Sequence, residues 1–277
     1  MDSGRKTRVI VGALLGLLFV GIVALGSIFR TVVFTVAAVI AVYEMSSMIY
    51  KKTEKNIFAA PAYVFAALCF PIAAAAKENA ATAVMLLGAL CLMLIAAERV
   101  FNKLRTTEES IYSAFMLIYP MSLFGMLALI MPADGLTSPK NVGLLLVFIC
   151  PLMGDMLAYY IGSSMGKRKL CPEISPHKTV EGSYGSFLGG LLGGFVCFLL
   201  QFIWGLHLPI LPMLLVGIIC GGVGQIGDLF ASVIKRWAGA KDYGNIFPGH
   251  GGVIDRLDSV LMCAPVALCY VWLSMLG

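Results

Sequence analysis

The chain is expected to fold as an all-α, polytopic membrane protein of about nine transmembrane helices with a cytoplasmic N-terminus, and three observations carry that expectation. First, 60% of its 277 residues are hydrophobic and 13% are charged, with a mean hydropathy of +0.92. Soluble domains carry about 25% charged residues. Second, the apolar residues form continuous runs of about 20, the length a helix needs to cross a bilayer. A barrel would show alternating segments of about 10. Third, the basic residues between the runs are strongly sided. A water-soluble globule is excluded, as are disorder, which needs few apolar residues, and a collagen-like chain, since only 30 residues are glycine.

The runs cover, approximately, 9 to 27, 31 to 49, 57 to 75, 80 to 97, 110 to 131, 142 to 163, 185 to 206, 208 to 227 and 259 to 276. The first follows Arg5, Lys6 and Arg8 and superficially resembles a signal peptide, but it is longer than a 7–15 residue signal core and is read as a span. With the N-terminus inside, the inner segments hold those three residues, Lys51, Lys52, Lys55, Arg99, Lys103, Arg105, Lys167, Arg168, Lys169, Lys178, Lys235, Arg236, Lys241 and Arg256. Arg30, Lys77 and Lys140 fall outside. This bias accounts for the net charge of +5, and nucleic acid is not an expected partner.

A single transmembrane domain, 1–277, is the simplest division, with a helical scaffold over 1–140 and a polar half over 141–277 that carries two cytoplasmic loops. Pro61, Pro71 and Pro120 are expected at kinks or helix ends. Glu44, near the inner end of the second run, is read as snorkelling to the interface or pairing with a lysine of the 51–55 loop. Seven cysteines, Cys69, Cys91, Cys150, Cys197, Cys220, Cys263 and Cys269, lie in apolar spans and read as small buried hydrophobes. Cys171 lies in a polar loop on the cytoplasmic side, where a disulfide is not expected.

Beyond residue 150 the polar residues acquire a pattern. Asp155 lies inside an apolar run, and an ionisable residue at membrane depth is costly and therefore a candidate for function. Tyr159, Gly162 and Gly166 follow it at helical spacing, and the small residues permit close helix packing. The next loop, KRKLCPEISPHKTVEGSYGS, is broken by Pro172 and Pro176 and gathers Ser175, Lys178, Thr179, Gly182 and Gly185. Such charge, hydroxyls and accessible backbone suit phosphate oxygens.

The segment 227–260 is richer still. Asp228, Ser232 and Lys235 are one helical turn apart, which aims a carboxylate, a hydroxyl and an amine the same way. After the irregular stretch around Pro248–Gly252, Asp255 and Asp258 repeat that spacing, and like charges so placed repel unless a cation or Arg256 and the lysines neutralise them. Three aspartates near lysines suggest Mg²⁺, a hard cation that takes a few carboxylates together with substrate phosphates.

From Ser232 to Asp258 the chain resembles the phosphatidate cytidylyltransferase (CDP-diacylglycerol synthase) family. The resemblance rests on Ser232, Lys235, Arg236, Lys241, Asp242, Gly244, Phe247, Pro248, His250, Gly251, Gly252, Asp255, Arg256 and Asp258. It continues upstream through Asp155, Ala158, Tyr159, Gly162, Gly166, Pro172, Ser175, Pro176, Lys178, Thr179, Glu181 and Gly182, with His177 standing where members commonly carry a second lysine.

The resemblance implies an inner-membrane enzyme that converts CTP and phosphatidic acid to CDP-diacylglycerol and diphosphate, with Mg²⁺, an assisting monovalent cation such as K⁺, a homodimeric assembly and a site open to the cytoplasm. Asp228, Asp255 and Asp258 would then hold Mg²⁺, and Lys235, Arg236, Lys241 and Arg256 would neutralise phosphate charge. Ser175, Lys178, Thr179 and Ser232 would donate to phosphate oxygens, Gly251 and Gly252 would admit the backbone, and Asp155 and Tyr159 would line the substrate side. A CTP-dependent lipid kinase of the polyprenol or phytol type and a transporter are the alternatives. A transporter should show inverted repeats and polar residues through its first half, and neither is visible.

Overall fold

The computed structural model describes residues 3–131 and 138–276, with side chains over 10–131 and 138–275. Arg5, Lys6 and Arg8, which orient the N-terminus in the sequence reading, have side chains outside the described residues.

The elements are α1 (Ser3–Ala24), α2 (Gly26–Thr53), α3 (Ala60–Ala76), α4 (Ala80–Phe101), α5 (Thr107–Met116), α6 (Ser122–Ile130), α7 (Pro139–Met165), a hairpin of β1 (Lys169–Cys171) and β2 (Ser175–Thr179), α8 (Val180–Leu200), α9 (Ile210–Trp237) and α10 (Ile254–Leu276). Seven stretches among the described residues are long and apolar enough to cross a membrane; one of them, Ala60–Phe101, contains both α3 and α4. The shorter apolar stretch Ile10–Ala24 precedes them. The chain is an all-α, multi-pass membrane protein.

It divides into two compact units, Met1–Ala133 with Trp237–Arg256, and Asp134–Arg236 with Leu257–Gly277. In the first, α3 packs against α2, α4 and α6. Phe34, Phe70 and Phe124 fill that core, with ring centroids 5.6 Å apart for the first pair and 6.3 Å for the second. Pro61 lies in the first turn of α3, where a missing N–H costs nothing, and Pro71 lies inside that helix. Pro120 falls in the irregular turn between α5 and α6. Thr106 and Glu109 form a capping box at the start of α5.

Arg30 corrects one expectation. Rather than sitting in an outer loop, it lies in the first part of α2, 1% exposed, and donates to the carbonyl oxygens of Ile22 and Val23. Those carbonyls end α1 and have no partner within their own helix. Gly26, at φ +84°, makes the reversal that brings the arginine back to them, and a cation at a helix C-terminus also opposes the helix dipole.

In the second unit α8 is gripped on two sides through its glycines. A Cβ on Gly189 would lie 2.3 Å from the Met153 carbonyl oxygen of α7, and one on Gly190 would lie 2.1 Å from that of Gly217 in α9. Gly185 faces Leu157, and Gly194 faces Met213, in the same way. Buried Cys150, Cys197, Cys220 and Cys263 occupy small sites in this bundle, with the Cys263 thiol donating to the Cys220 carbonyl at 3.3 Å. Cys269 is instead exposed on α10, contrary to its reading as a buried hydrophobe.

The second loop holds a short antiparallel hairpin, in which Lys169 pairs with Thr179 and Cys171 with Ser175, where the sequence suggested only broken helix. Two prolines disfavour helix but leave β2 extended, and Pro172 falls in the turn.

Substituting Gly190 by Val should therefore destabilise the second unit by at least the ~1–3 kcal/mol typical of overpacking. Gly16→Ala, at a site with nothing within 4 Å of the added carbon, should leave the protein nearly unchanged. Thermal unfolding of the two variants in detergent checks the contrast.

Candidate functional site

Within the second unit, the two polar segments of the sequence meet. Lys178 of β2 and Asp228 of α9 form an ion pair at 2.6 Å, with side chains 20% and 33% exposed, aligned as charges rather than as a linear hydrogen bond. Arg236 Nε donates to the Ile174 carbonyl at 3.3 Å, and Gln225 Nε2 to Ser183 Oγ at 3.0 Å, so three contacts dock the hairpin and the start of α8 onto α9. Ser232 and Lys235, one turn apart on α9, are buried.

Asp258 on α10 is buried as well, and the charges of Asp228, Lys235 and Asp155 act on its carboxylate. Its Oδ1 accepts from the Ser259 amide at 2.6 Å. Gly227 packs on the Asp258 backbone, where a Cβ would come 2.6 Å from the carbonyl oxygen. The expected face of Asp228, Ser232 and Lys235 is thus a real face of a continuous helix, and it lies beside Asp258 of α10 and Lys178 of β2.

Other residues take different places. Thr179 is the N-cap of α8, with Oγ1 accepting from the Gly182 amide at 3.1 Å, and it fills the space beside Gly162 of α7 and Gly166 just past its end. Ser175 is half-buried in β2. Asp155 and Tyr159 lie on the exposed side of α7, and Tyr159 stacks edge-on with Tyr160 at 5.8 Å.

The first unit holds the rest of the motif. Asp255 is buried, and its Oδ2 accepts from the amides of Tyr243 at 2.7 Å and Gly252 at 2.9 Å. Gly251, at φ +81°, lies against the same carboxylate, 2.7 Å from a would-be Cβ. Lys241 and Arg256 are exposed, and the buried Nδ1 of His250 has no hydrogen-bond partner among the described residues. The space left by Gly251 and Gly252 is occupied by carboxylates of the chain itself.

Glu44 is the residue that the sequence reading placed wrongly. It is 1% exposed, and its oxygens accept from Val253 N–H at 2.8 Å and Ile254 N–H at 2.9 Å, rather than reaching the interface or a lysine. Lys55, one of the lysines of residues 51–55, pairs with Glu108 instead, and that hydrogen bond holds its ammonium above the ordinary lysine range. The signal that could have found Glu44 is the one that singled out Asp155: an ionisable residue within an apolar helix.

Among the described residues no group of three or more His, Cys, Asp or Glu side chains is arranged to hold a metal ion. Asp228, paired with Lys178, and Asp258, within reach of the Asp228 and Lys235 charges, form a smaller donor set. That set fits an ion that prefers one or two carboxylates with phosphate oxygens and water.

Fold and site together define a multi-pass helical membrane protein with a polar cluster of carboxylates, hydroxyls and lysines at helix ends. The chain belongs to the cytidylyltransferase family, whose model matches residues 6–274. It is similar to the phosphatidate cytidylyltransferases of Bacillus subtilis (strain 168), 47% identical over 112 residues and 40% of each chain, and of Aquifex aeolicus (strain VF5), 47% identical over 123 residues and 44% of each chain. That of Synechocystis sp. is 41% identical over 144 residues, 48% of this chain and 46% of its own. The matched stretches thus span under half the length of these curated relatives.

Replacing Thr179 by Val, which keeps the shape and removes the capping oxygen, should cost about 1 kcal/mol. A fall in unfolding midpoint of about 2–4 °C is the expected readout.

Proposed function

We propose that this protein is a phosphatidate cytidylyltransferase that makes CDP-diacylglycerol and diphosphate from CTP and phosphatidic acid. The observation that supports it best is the Lys178–Asp228 pair, which joins both polar motifs into one cluster in a chain of the cytidylyltransferase family.

The chemistry suits the residues. A phosphate monoester is largely dianionic above its second pKa of about 6, so the lipid phosphate needs no base to become a nucleophile. One of its oxygens bonds to the α-phosphorus of CTP while the bond from that phosphorus to the bridging oxygen breaks and diphosphate leaves. The obstacle is bringing anions together, and positioning with charge neutralisation is what lowers it. Lys235 and Lys178 would place positive charge against triphosphate and lipid phosphate, with Arg236 adding to it from an exposed position; the family resemblance gives Lys241 and Arg256 the same role. Ser232 and Ser175 would donate hydroxyl protons to phosphate oxygens.

Asp228 and Asp258 would hold Mg²⁺, which when bound neutralises phosphate charge and orients the phosphates. Asp255, a metal ligand by family resemblance, also sets the loop through two backbone amides. The acyl chains remain in the bilayer while CTP arrives from water. The site accordingly faces the cytoplasm from the cell membrane, and by family resemblance the working assembly is a homodimer.

Purified protein given labelled CTP, Mg²⁺ and phosphatidic acid should yield a lipid-linked cytidine nucleotide and diphosphate. A labelled phospholipid with free CDP would instead identify a kinase. Asp228→Asn and Asp258→Asn should each lower turnover by at least about 100-fold, as expected when charge stabilisation at the reacting phosphates is lost. A near wild-type rate in Asp258→Asn would overturn the metal assignment.

A further inference from the structure

Glu44 belongs to no motif in the second half of the chain, yet it organises the backbone there. It projects from α2 into the segment Trp237–Arg256 within the first unit. Its two oxygens take the Val253 and Ile254 amides, which open α10. Helix-opening amides have no partner within the helix, and a carboxylate there is also favoured by the dipole.

The same carboxylate sets the shape of the loop before it. A Cβ on Gly252 would come 2.2 Å from Glu44 Oε1, and one on Gly244 would come 2.7 Å from it. Asp255 closes the other side by holding the Tyr243 and Gly252 amides. Residues 243–255 are therefore folded around two carboxylates, one of them supplied from a helix some two hundred residues earlier in the chain.

Burying a carboxylate is expensive unless its oxygens are fully used, and an apolar side chain of similar size would fill the volume more cheaply. What a carboxylate adds is a defined orientation for two amides at once. Asp255 and Arg256 follow directly on those amides, so their direction is set by where Glu44 holds the chain.

We propose that Glu44 is a positioning residue for the nucleotidyl transfer, acting through the backbone of Gly244, Gly252, Val253 and Ile254 to set Asp255 and Arg256. The inference rests on the functional reading above for its kinetic consequence, though not for its structural one.

Glu44→Gln keeps the volume but offers one amide an NH₂ group in place of an acceptor. In that variant kcat, per folded molecule in nanodiscs, should fall about 10–100-fold while KM for CTP stays within about threefold, the effect expected of misplaced reacting groups. A brace needed only for folding would reduce the yield of folded protein and leave kcat per folded molecule unchanged, and that result would overturn the proposal. Should Glu44→Gln fail to fold, Gly244→Ala presses on the same carboxylate from the loop side and should show the same split between kcat and KM.

Hydrogen exchange separates this inference from the assigned reaction. Peptides covering 243–256 should exchange at least about tenfold faster in the variant, with those covering α3 and α6 unchanged. If the wild-type protein makes no lipid-linked cytidine nucleotide, the functional reading falls. Exchange confined to 243–256 would still support the positioning role, and unchanged exchange there would overturn it.

Discussion

Polar groups in a membrane-spanning chain cannot fall back on water, so each amide, carbonyl and charge that leaves the regular helix pattern must be met from within the protein. That constraint places most of the informative residues. Arg30 answers the last carbonyls of α1. Glu44 answers the first amides of α10. Gln201, fully buried at the end of α8, exchanges both of its amide groups with the backbone of Leu208 and closes the turn that follows. Thr179 caps α8 at its other end.

Close approach is the second device, and it operates in the second unit. Helices in lipid gain little from burying apolar area against one another, because the surrounding tails are equally apolar. Small residues that let backbones touch are what hold them together. The glycines of α8 do this towards α7 and α9 on two faces, and the hairpin at its start is thereby fixed beside α9. The Lys178–Asp228 pair follows from that packing. The pair is half-buried, so desolvation offsets much of its attraction and its importance is more chemical than structural.

Glycines in the 244–252 loop have a different reason. Gly251 and Gly252 look, in sequence, like backbone made accessible to a phosphate. In the folded chain Gly244 and Gly252 clear room for the carboxylate of Glu44, and Gly251 for that of Asp255. Four amides of the segment, those of Tyr243, Gly252, Val253 and Ile254, are committed to those two side chains, and its direction into α10 is thereby defined.

Hydropathy and charge, which are properties of short stretches, determined the membrane class, the approximate spans and the helical face bearing Asp228, Ser232 and Lys235. Motif spacing likewise marked Lys178, Asp255 and Asp258, because residues a turn apart on one helix, or within one loop, are neighbours whatever the rest of the chain does. Tertiary structure alone decided that Arg30 turns back to cap α1, that the second polar loop contains a hairpin, that Cys269 is exposed and that Glu44 belongs with the 243–255 segment. The physical reason is distance along the chain. A buried carboxylate must have partners, but nothing local says that those of Glu44 lie 209 and 210 residues away.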